Sequence, residues 1–394
     1  MSNRIHILEI TKSTGGVGSY IRWLANGLDK DRFQLTVVCL SEGGPALAAD
    51  LGTIPGVHAF SLAMNRYKIN PFTDARVLAQ LARLIRSEHF DLIHAHTSKP
   101  GYLARLAAIG TGVPVIYRPA CFAFHPGTNK IQAAVVATME RFAARYLTAR
   151  ITTVCDGERQ LALDYNVGSD KLLTTIHTGI DTRPFDTPID REALRTSIGV
   201  PVDVPLVGSV GRLSPQKAPL DFVRAAASVH ARRPDIHFVW IGDGPLETAT
   251  RSLVSELGLD SVFHFAGLRA NISALLQVLD CFVLSSHWEG FSLVILEAMA
   301  ARLPIVATRV MGTPEAIEDG VSGLLVPAGD PPALAEALLD LMSDPERAKG
   351  FGNQGRQRVE RTFTRAHMIA GISKVYNEVY AETAKKDSKL HNAV

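Results

Sequence analysis

The chain has 394 residues, too many for one compact core, so two or three domains are expected at about 150 residues each. Apolar residues make up 46% and charged residues 20%, an ordinary balance for a globular protein in water, and no run of about 18 uncharged apolar residues offers a transmembrane helix. Net charge is +2 but uneven: residues 1–188 carry 20 Lys and Arg against 15 Asp and Glu, and the rest carry 21 against 24.

That asymmetry fits an anionic acceptor or an anionic membrane surface near the first half. Ordinary scatter of surface charge fits equally well, and no nucleic-acid partner is expected. Met1 leads at once into the strand-like Ile5-His6-Ile7-Leu8-Glu9-Ile10, without the apolar stretch of a cleaved signal peptide. Cys39, Cys121, Cys155 and Cys281 lie far apart with no CxxC pair, so neither a zinc site nor a disulfide framework is called for. The expected location is cytoplasmic, peripheral at the inner membrane face if the basic half meets lipid.

In chain order, β-branched runs at 5–10, 34–40, 91–96, 113–117, 151–154 and 172–176 read as strands. Helical stretches at 17–28, 73–88 and 132–147 fall between them. The pattern pauses at Pro184–Pro188 and restarts with strands at 206–210, 237–241, 262–265, 281–285, 305–307 and 323–326. Such alternation calls for parallel sheets covered on both faces. The expected fold class is therefore α/β, with two Rossmann-like doubly wound domains, 1–188 and 189–363, facing a cleft. Met368, Ile372, Val375, Tyr376 and Val379 recur at helical spacing, so 364–383 reads as a closing helix that returns to the first domain. The polar residues after it are expected to fray.

Each chemical motif follows a strand. Thr14-Gly15-Gly16-Val17-Gly18 opens a helix, where backbone amides and the helix N-terminus can face a phosphate; a tight turn without ligand is the alternative. His94-Ala95-His96 puts two imidazoles on one side of a strand. No third ligand is evident beside them, so no metal is expected. His94 reads as structural, and His96, nearest the strand end, as the better contact for sugar or acceptor. In Gly211-Arg212-Leu213-Ser214-Pro215-Gln216-Lys217 two cations share a loop, a pair suited to a diphosphate leaving group. Gly242-Asp243-Gly244-Pro245 and Gly312-Thr313-Pro314-Glu315 read as turns at the cleft edge.

The segment Ser285 to Ala300 carries most information. Ser292 reads as the N-cap of a helix running to about Ala301, with Glu297 inside it and Glu289 just before. Eight helical residues advance about 12 Å, a span comparable to that from the ribose to the hexose of a nucleotide-sugar. Two acids so spaced can each accept hydroxyls, and the apolar Leu293-Val294-Ile295-Leu296 run argues that they are not simply solvated.

In this order the motifs resemble the retaining glycosyltransferases of family 4, which have the GT-B fold, over nearly the whole chain. His177-Thr178-Gly179-Ile180-Asp181 belongs to the same pattern. The resemblance implies a nucleotide-diphosphate sugar donor, UDP or GDP, held by the second domain. Arg212 and Lys217 would contact the diphosphate, Glu297 the ribose, and Glu289 the transferred sugar near the reacting carbon. Gly290, Phe291, Ser292, Leu293 and Gly242 would line the donor. Backbone near Leu268 and Arg269 would read the base, and Gly16 would approach the diphosphate from the first domain. The catalytic set is then Glu289, Arg212, Lys217 and His96. Neither metal nor cofactor is implied.

The first domain would hold a glycan or polyprenyl-linked acceptor, with His96, Lys99 and His125 on its side. Ser98-Lys99-Pro100-Gly101 resembles the SKAG-type subgroup of polysaccharide assembly. There the next strand ends in Pro-His-Gly-Phe; here it reads Pro119-Ala120-Cys121-Phe122, so Ala120 replaces the histidine near the transferred sugar. Either His125 or His96 covers its task, or the site has changed. Thr178 replaces an Asn, and Ala218 a Gly. Two other readings stand: a sugar-nucleotide epimerase, and a catalytically weak donor-binding partner of another transferase. Residues 132–147, with Arg141 and Arg145 beside Ala133, Val136 and Met139, fit either an anionic lipid surface or an ordinary core helix.

Overall fold

The computed structural model describes residues 4–12, 16–41, 46–65 and 70–391. They form two units, Met1–Thr178 with Arg365–Val394, and Gly179–Thr364. The first unit is built on a parallel sheet of β1 (Ile5–Lys12), β2 (Phe33–Ser41), β3 (Val57–Ala63), β4 (Leu92–His96), β5 (Val115–Arg118), β6 (Arg150–Thr153) and β7 (Leu173–Thr175). Their order is β3-β2-β1-β4-β5-β6-β7. The second sheet contains β8 (Leu206–Val210), β9 (His237–Ile241), β10 (Phe263–Gly267), β11 (Cys281–Leu284), β12 (Ile305–Thr308) and β13 (Leu324–Val326), ordered β10-β9-β8-β11-β12-β13. Both are parallel throughout, as strands covered by helices on two faces must be.

In each sheet the strand order reverses once, between β1 and β4 and between β8 and β11. Ligands of such sheets bind beyond the carboxyl ends of strands at that reversal. The loops 211–218 and 285–292 leave β8 and β11, so the two most motif-rich segments of the second unit are neighbours there.

The strands fall where the apolar runs place them, with one addition: β3, an edge strand whose residues are mostly half-exposed. The chain crosses between units at Thr178/Gly179 and not after residue 188. The reason is local: the Ile180 amide donates to the Phe363 carbonyl at 2.9 Å, and Asp186 pairs with Arg356 at 2.6 Å, so 179–188 is stitched into the second unit.

The last helix, Arg365–His391, returns to the first unit. Met368, Ile372, Val375, Tyr376 and Val379 are buried there with Ile5, Ile7, Leu24 and Leu35. It continues past residue 383 to His391, so most of the stretch expected to fray is helical. Among the described residues no helix is long and apolar enough to cross a membrane.

Candidate functional site

In the second unit the loop after β8 is shaped by close backbone approach. Gly242 has φ 130, and a Cβ there would stand 2.2 Å from the Gly211 carbonyl oxygen. At Gly244, φ 156, a Cβ would meet the Leu213 oxygen at 2.4 Å. The loops after β8 and β9 therefore lie against each other, tied by Leu213 N to Asp243 O at 2.8 Å and Trp240 Nε1 to Gly211 O at 2.8 Å. Gly242 and Gly244 act as scaffold for the cation loop. Ala218, with φ 47 and ψ 55, holds a left-handed turn just before the helix Pro219–His230, which accounts for the Gly usual at that place.

Lys217 leaves this loop to meet Glu289. Its Nζ donates to Glu289 Oε1 at 2.6 Å, and Ser286 Oγ donates to the same oxygen at 2.7 Å. Gln216 Nε2 reaches Glu289 Oε2 at 3.4 Å and the Trp288 carbonyl at 3.1 Å, and its own carbonyl accepts the His287 amide at 2.8 Å. Ser285 Oγ donates to the Lys217 and Ala218 carbonyls, and Thr308 Oγ1 to that of Ser286. Glu289 is 6% exposed, so the ionised pair sits largely out of water with its hydrogen bonds made.

Glu297 lies one turn into the helix Leu293–Ala300. Burial raises its carboxyl to about 7, with the Lys217 ammonium pulling it back. Among the described residues its side chain has no hydrogen-bond donor, although it is only partly covered. Lys217 is thus the common neighbour of both acids. The two acids thus share one ammonium, where their spacing read along a helix set them about 12 Å apart. The cause is that Glu289 precedes the helix and folds back on Lys217.

Arg212 is exposed on the same loop. Ser292 stands at the helix N-cap, but its hydroxyl makes no capping bond and is buried without a partner, as is that of Thr313. Gly290 is buried, and its carbonyl accepts the Gly312 amide at 3.1 Å. Phe291 packs on Phe363 at 5.3 Å, and Leu293 is partly exposed. Leu268 is 77% exposed just past β10, while the Arg269 guanidinium donates to the Ala266 and Ser197 carbonyls at 2.8 and 3.1 Å. Arg269 is thereby fixed to the backbone at the end of β10.

In the first unit the structure corrects the reading of His96. Both imidazoles of β4 lie on one side, as the period of two requires, yet both are fully buried. His96 Nε2 contacts Glu9 Oε2 at 2.6 Å, Tyr376 donates to Glu9 Oε1 at 2.6 Å, and His94 Nδ1 meets the Tyr376 hydroxyl at 2.7 Å. Burial and the adjacent His94 push His96 down to about 3, so it is neutral and donates to Glu9. Glu9 is held low: burial raises it, but the neighbouring imidazoles of His94 and His96 outweigh that. β4 is a central strand capped by the returning helix, so His96 meets Glu9 and not an open surface.

Glu9 is also the third group that the sequence did not reveal, with ligand atoms of all three within 4.8 Å. Its two oxygens already take a ring N–H and a phenol. An Asp-x-Asp triplet, Asp29-Lys30-Asp31, forms a turn in which the Asp29 carboxylate accepts the Asp31 amide at 2.9 Å.

Lys99, expected near the acceptor, pairs with Asp74 at 2.7 Å and donates to the Asn65 carbonyl at 2.8 Å. His125 is half-buried, its imidazole lowered by burial, and its Nδ1 accepts the Gly127 amide at 3.2 Å. Gly16 is exposed at the start of the helix Gly16–Gly27; Thr14 and Gly15 lie outside the described residues.

Two family patterns meet in this chain. Residues 15–179 match the glycosyl transferase 4-like domain and residues 190–358 the glycosyl transferases group 1 family. The Escherichia coli UDP-Gal:alpha-D-GlcNAc-diphosphoundecaprenol alpha-1,3-galactosyltransferase is 30% identical over 80% of this chain and 82% of its own. The chain is a family 4 glycosyltransferase. Bacillus subtilis EpsD, a putative glycosyltransferase, is 29% identical over 84% of this chain and 87% of its own. Anabaena Alr3699/HepE, solved with UDP and glucose, shares the fold at TM-score 0.81 and 21% identity, over 95% of this chain and all of that one. The epimerase alternative finds no support among these relatives.

Of the transferase's expected residues, the second unit brings Lys217, Glu289 and Glu297 together, while His96 and Lys99 are spoken for within the first. Sequence reasoning gave no role to Ser286 and Gln216, which fix the Glu289 carboxylate. Their signal was faint: small polar residues beside a motif acid, joined only once β8 and β11 are neighbours.

Proposed function

We propose that this transferase moves a sugar from a nucleotide-diphosphate sugar, UDP- or GDP-linked, to a glycan or polyprenyl-linked acceptor, with retention and without a metal, in cell-surface polysaccharide assembly of the SKAG type. The observation that carries the donor reading is Glu297, a mostly covered carboxyl without a protein hydrogen-bond donor among the described residues, one ammonium away from Glu289 at the β8/β11 reversal. A group desolvated this far calls for external hydroxyl donors, and a ribose diol supplies two. Helix Leu293–Ala300 adds its N-terminal amides for phosphate charge.

Two relatives support the donor and acceptor classes. One uses UDP-Gal and a diphosphoundecaprenol-linked acceptor, and one solved neighbour binds UDP with glucose. In the reaction, the anomeric C–O bond to the diphosphate breaks with its electron pair going to the phosphate oxygen. The acceptor hydroxyl enters from the same face, and its proton passes to that oxygen. Arg212 and Lys217 stabilise the departing charge while Glu289 orients the sugar.

The test is a panel of UDP- and GDP-sugars scored by thermal stabilisation and slow release of nucleotide diphosphate, with and without EDTA. One donor should raise the melting temperature and be hydrolysed slowly in both conditions. Silence across the panel defeats the reading, and loss of turnover in EDTA defeats its metal-free part.

A further inference from the structure

The helix Lys130–Leu147 turns Ala133, Ala137, Glu140, Ala143 and Ala144 into the first unit. Its other side does not behave like a solvated surface. Ile131 is 77% exposed, Val135 55%, Met139 51%, Phe142 60% and Tyr146 62%. At ~100° per residue these five fall within an arc of about 80°, so they form one stripe. Single exposed apolar residues are ordinary, but a contiguous line of large ones marks an interaction surface. Sequence alone had grouped Ala133 and Val136 with Met139; the structure turns Ala133 inward and Met139 out.

Charge identifies the occupant. Lys130, Arg141 and Arg145 are exposed along one flank of the stripe. The helix has one acid, Glu140, and it is buried, gripping Arg105 at 2.8 and 3.2 Å. No carboxylate of this helix therefore faces out. A hollow lined by Arg141, Arg145, Asn166, Gly168, Ser169 and Leu172 opens on the cationic flank, a lining of two guanidiniums and small polar residues that suits a phosphate head group. A second copy seated on the same face would set these cations against their own kind, with no acid to answer them.

We propose that this face docks on an anionic phospholipid bilayer. The stripe lies at the boundary of head groups and acyl chains, and Lys130, Arg141 and Arg145 engage lipid phosphates. The helix then lies in the plane of the membrane and does not span it. This docking is independent of the donor reading, since vesicle binding is read with neither donor nor acceptor present.

The test is flotation of the full chain with phosphatidylcholine vesicles containing phosphatidylglycerol, beside vesicles of phosphatidylcholine alone. The chain should rise with the anionic vesicles only, and less so as salt increases. The triple variant Val135→Gln, Met139→Gln, Phe142→Gln and the pair Arg141→Glu, Arg145→Glu should each lower the bound fraction about tenfold or more. Both variants change exposed residues and should keep the wild-type melting transition. Phe142→Trp, which removes no apolar contact, should shift its emission to the blue on anionic vesicles. Three results overturn the proposal: no flotation with anionic vesicles, binding unchanged in both variants, or an unshifted Phe142→Trp spectrum. A wild-type dimer in sedimentation that both variants dissolve overturns it too, by giving the face to a second copy.

Discussion

The two sheets reverse order in the same way but put their polar groups in different places. In the first unit Glu9, His94 and His96 sit within the central strands, and in the second Lys217, Glu289 and Glu297 sit beyond the strand ends. A charge in the body of a buried parallel strand has to find protein partners, because water cannot reach it. Glu9 finds Tyr376 and His96, and the result is a tie between β1, β4 and the returning helix. A charge on the loop or helix that follows the strand end can keep one side available. Glu297 is the clearest case, since its carboxyl has no protein donor among the described residues. The first sheet ties Glu9 to its neighbours on both oxygens, and the second leaves the Glu297 carboxyl for the donor under the proposed function.

The largest expected effect tests the second half of that contrast. Lys217→Ala and Glu289→Gln should each cut turnover by about a hundredfold or more, and because each breaks a largely buried ion pair the melting temperature should fall too, so the rates are compared at a temperature where both variants are folded. Steady-state nucleotide release measures it; near-normal rates would erase the functional side of the comparison. Glu9→Ala should lower stability alone. Removing the acceptor of two buried donors should cost about 3 kcal/mol in urea unfolding, with donor affinity unchanged because the carboxylates of the proposed donor site belong to the second unit. A donor-affinity loss larger than the stability loss would mean the Glu9 cluster is not merely a tie.

A third effect, up to tenfold per pH unit, should appear in donor binding. Glu297, raised to about 7, must lose its proton to accept two hydroxyls, so affinity should fall as pH drops below 7. Stability should move the other way. The folded state holds this proton more tightly than the unfolded chain, so the contribution is full below the ordinary carboxyl range and is lost as pH climbs toward 7. Glu297→Gln should flatten both profiles. Titration calorimetry in two buffers with different ionisation heats checks the proton release, and a pH-independent affinity in wild type would contradict it.

Much of this was legible in the residues. Apolar runs located the strands closely, since fully buried parallel strands write themselves as unbroken Val, Ile and Leu. β3 escaped because an edge strand with His58, Ala59 and Ser61 carries no such run. The spacing of Glu289 and Glu297 was readable, but their sharing of Lys217 depends on β8 and β11 being adjacent, which no local pattern encodes. The partnership of Glu9 with His96 spans 87 residues. A glutamate inside Ile7-Leu8-Glu9-Ile10 was nonetheless a signal: an acid in so apolar a strand requires a partner. The reading of His96 failed for that reason, its partner being invisible. The stripe on Lys130–Leu147 was hidden because sequence shows that a helix has two apolar faces only when one of them is known to be covered.

The smallest effect lies past the end of β5, where Pro119-Ala120-Cys121-Phe122 stands in place of the Pro-His-Gly-Phe that the SKAG-type resemblance implies. Ala120 and Cys121 hold φ of 55 and 103, a region in which L side chains are strained. The turn persists because the Cys121 amide donates to buried Glu158 at 2.5 Å, and the other Glu158 oxygen takes the Val154 amide at 2.8 Å. Cys121→Gly should relieve about 1–2 kcal/mol of strain and return about 0.5–1 kcal/mol to the entropy of the unfolded chain. The net gain is then on the order of 1 kcal/mol or less, read as a raised urea midpoint at constant slope. A lowered midpoint would mean the Cys121 side chain contributes more through packing than its backbone loses. If the gain appears, the strain belongs to a turn inherited with glycine and kept without it, which places this strand end with the loops of the second unit and not with the sealed cluster of β1 and β4.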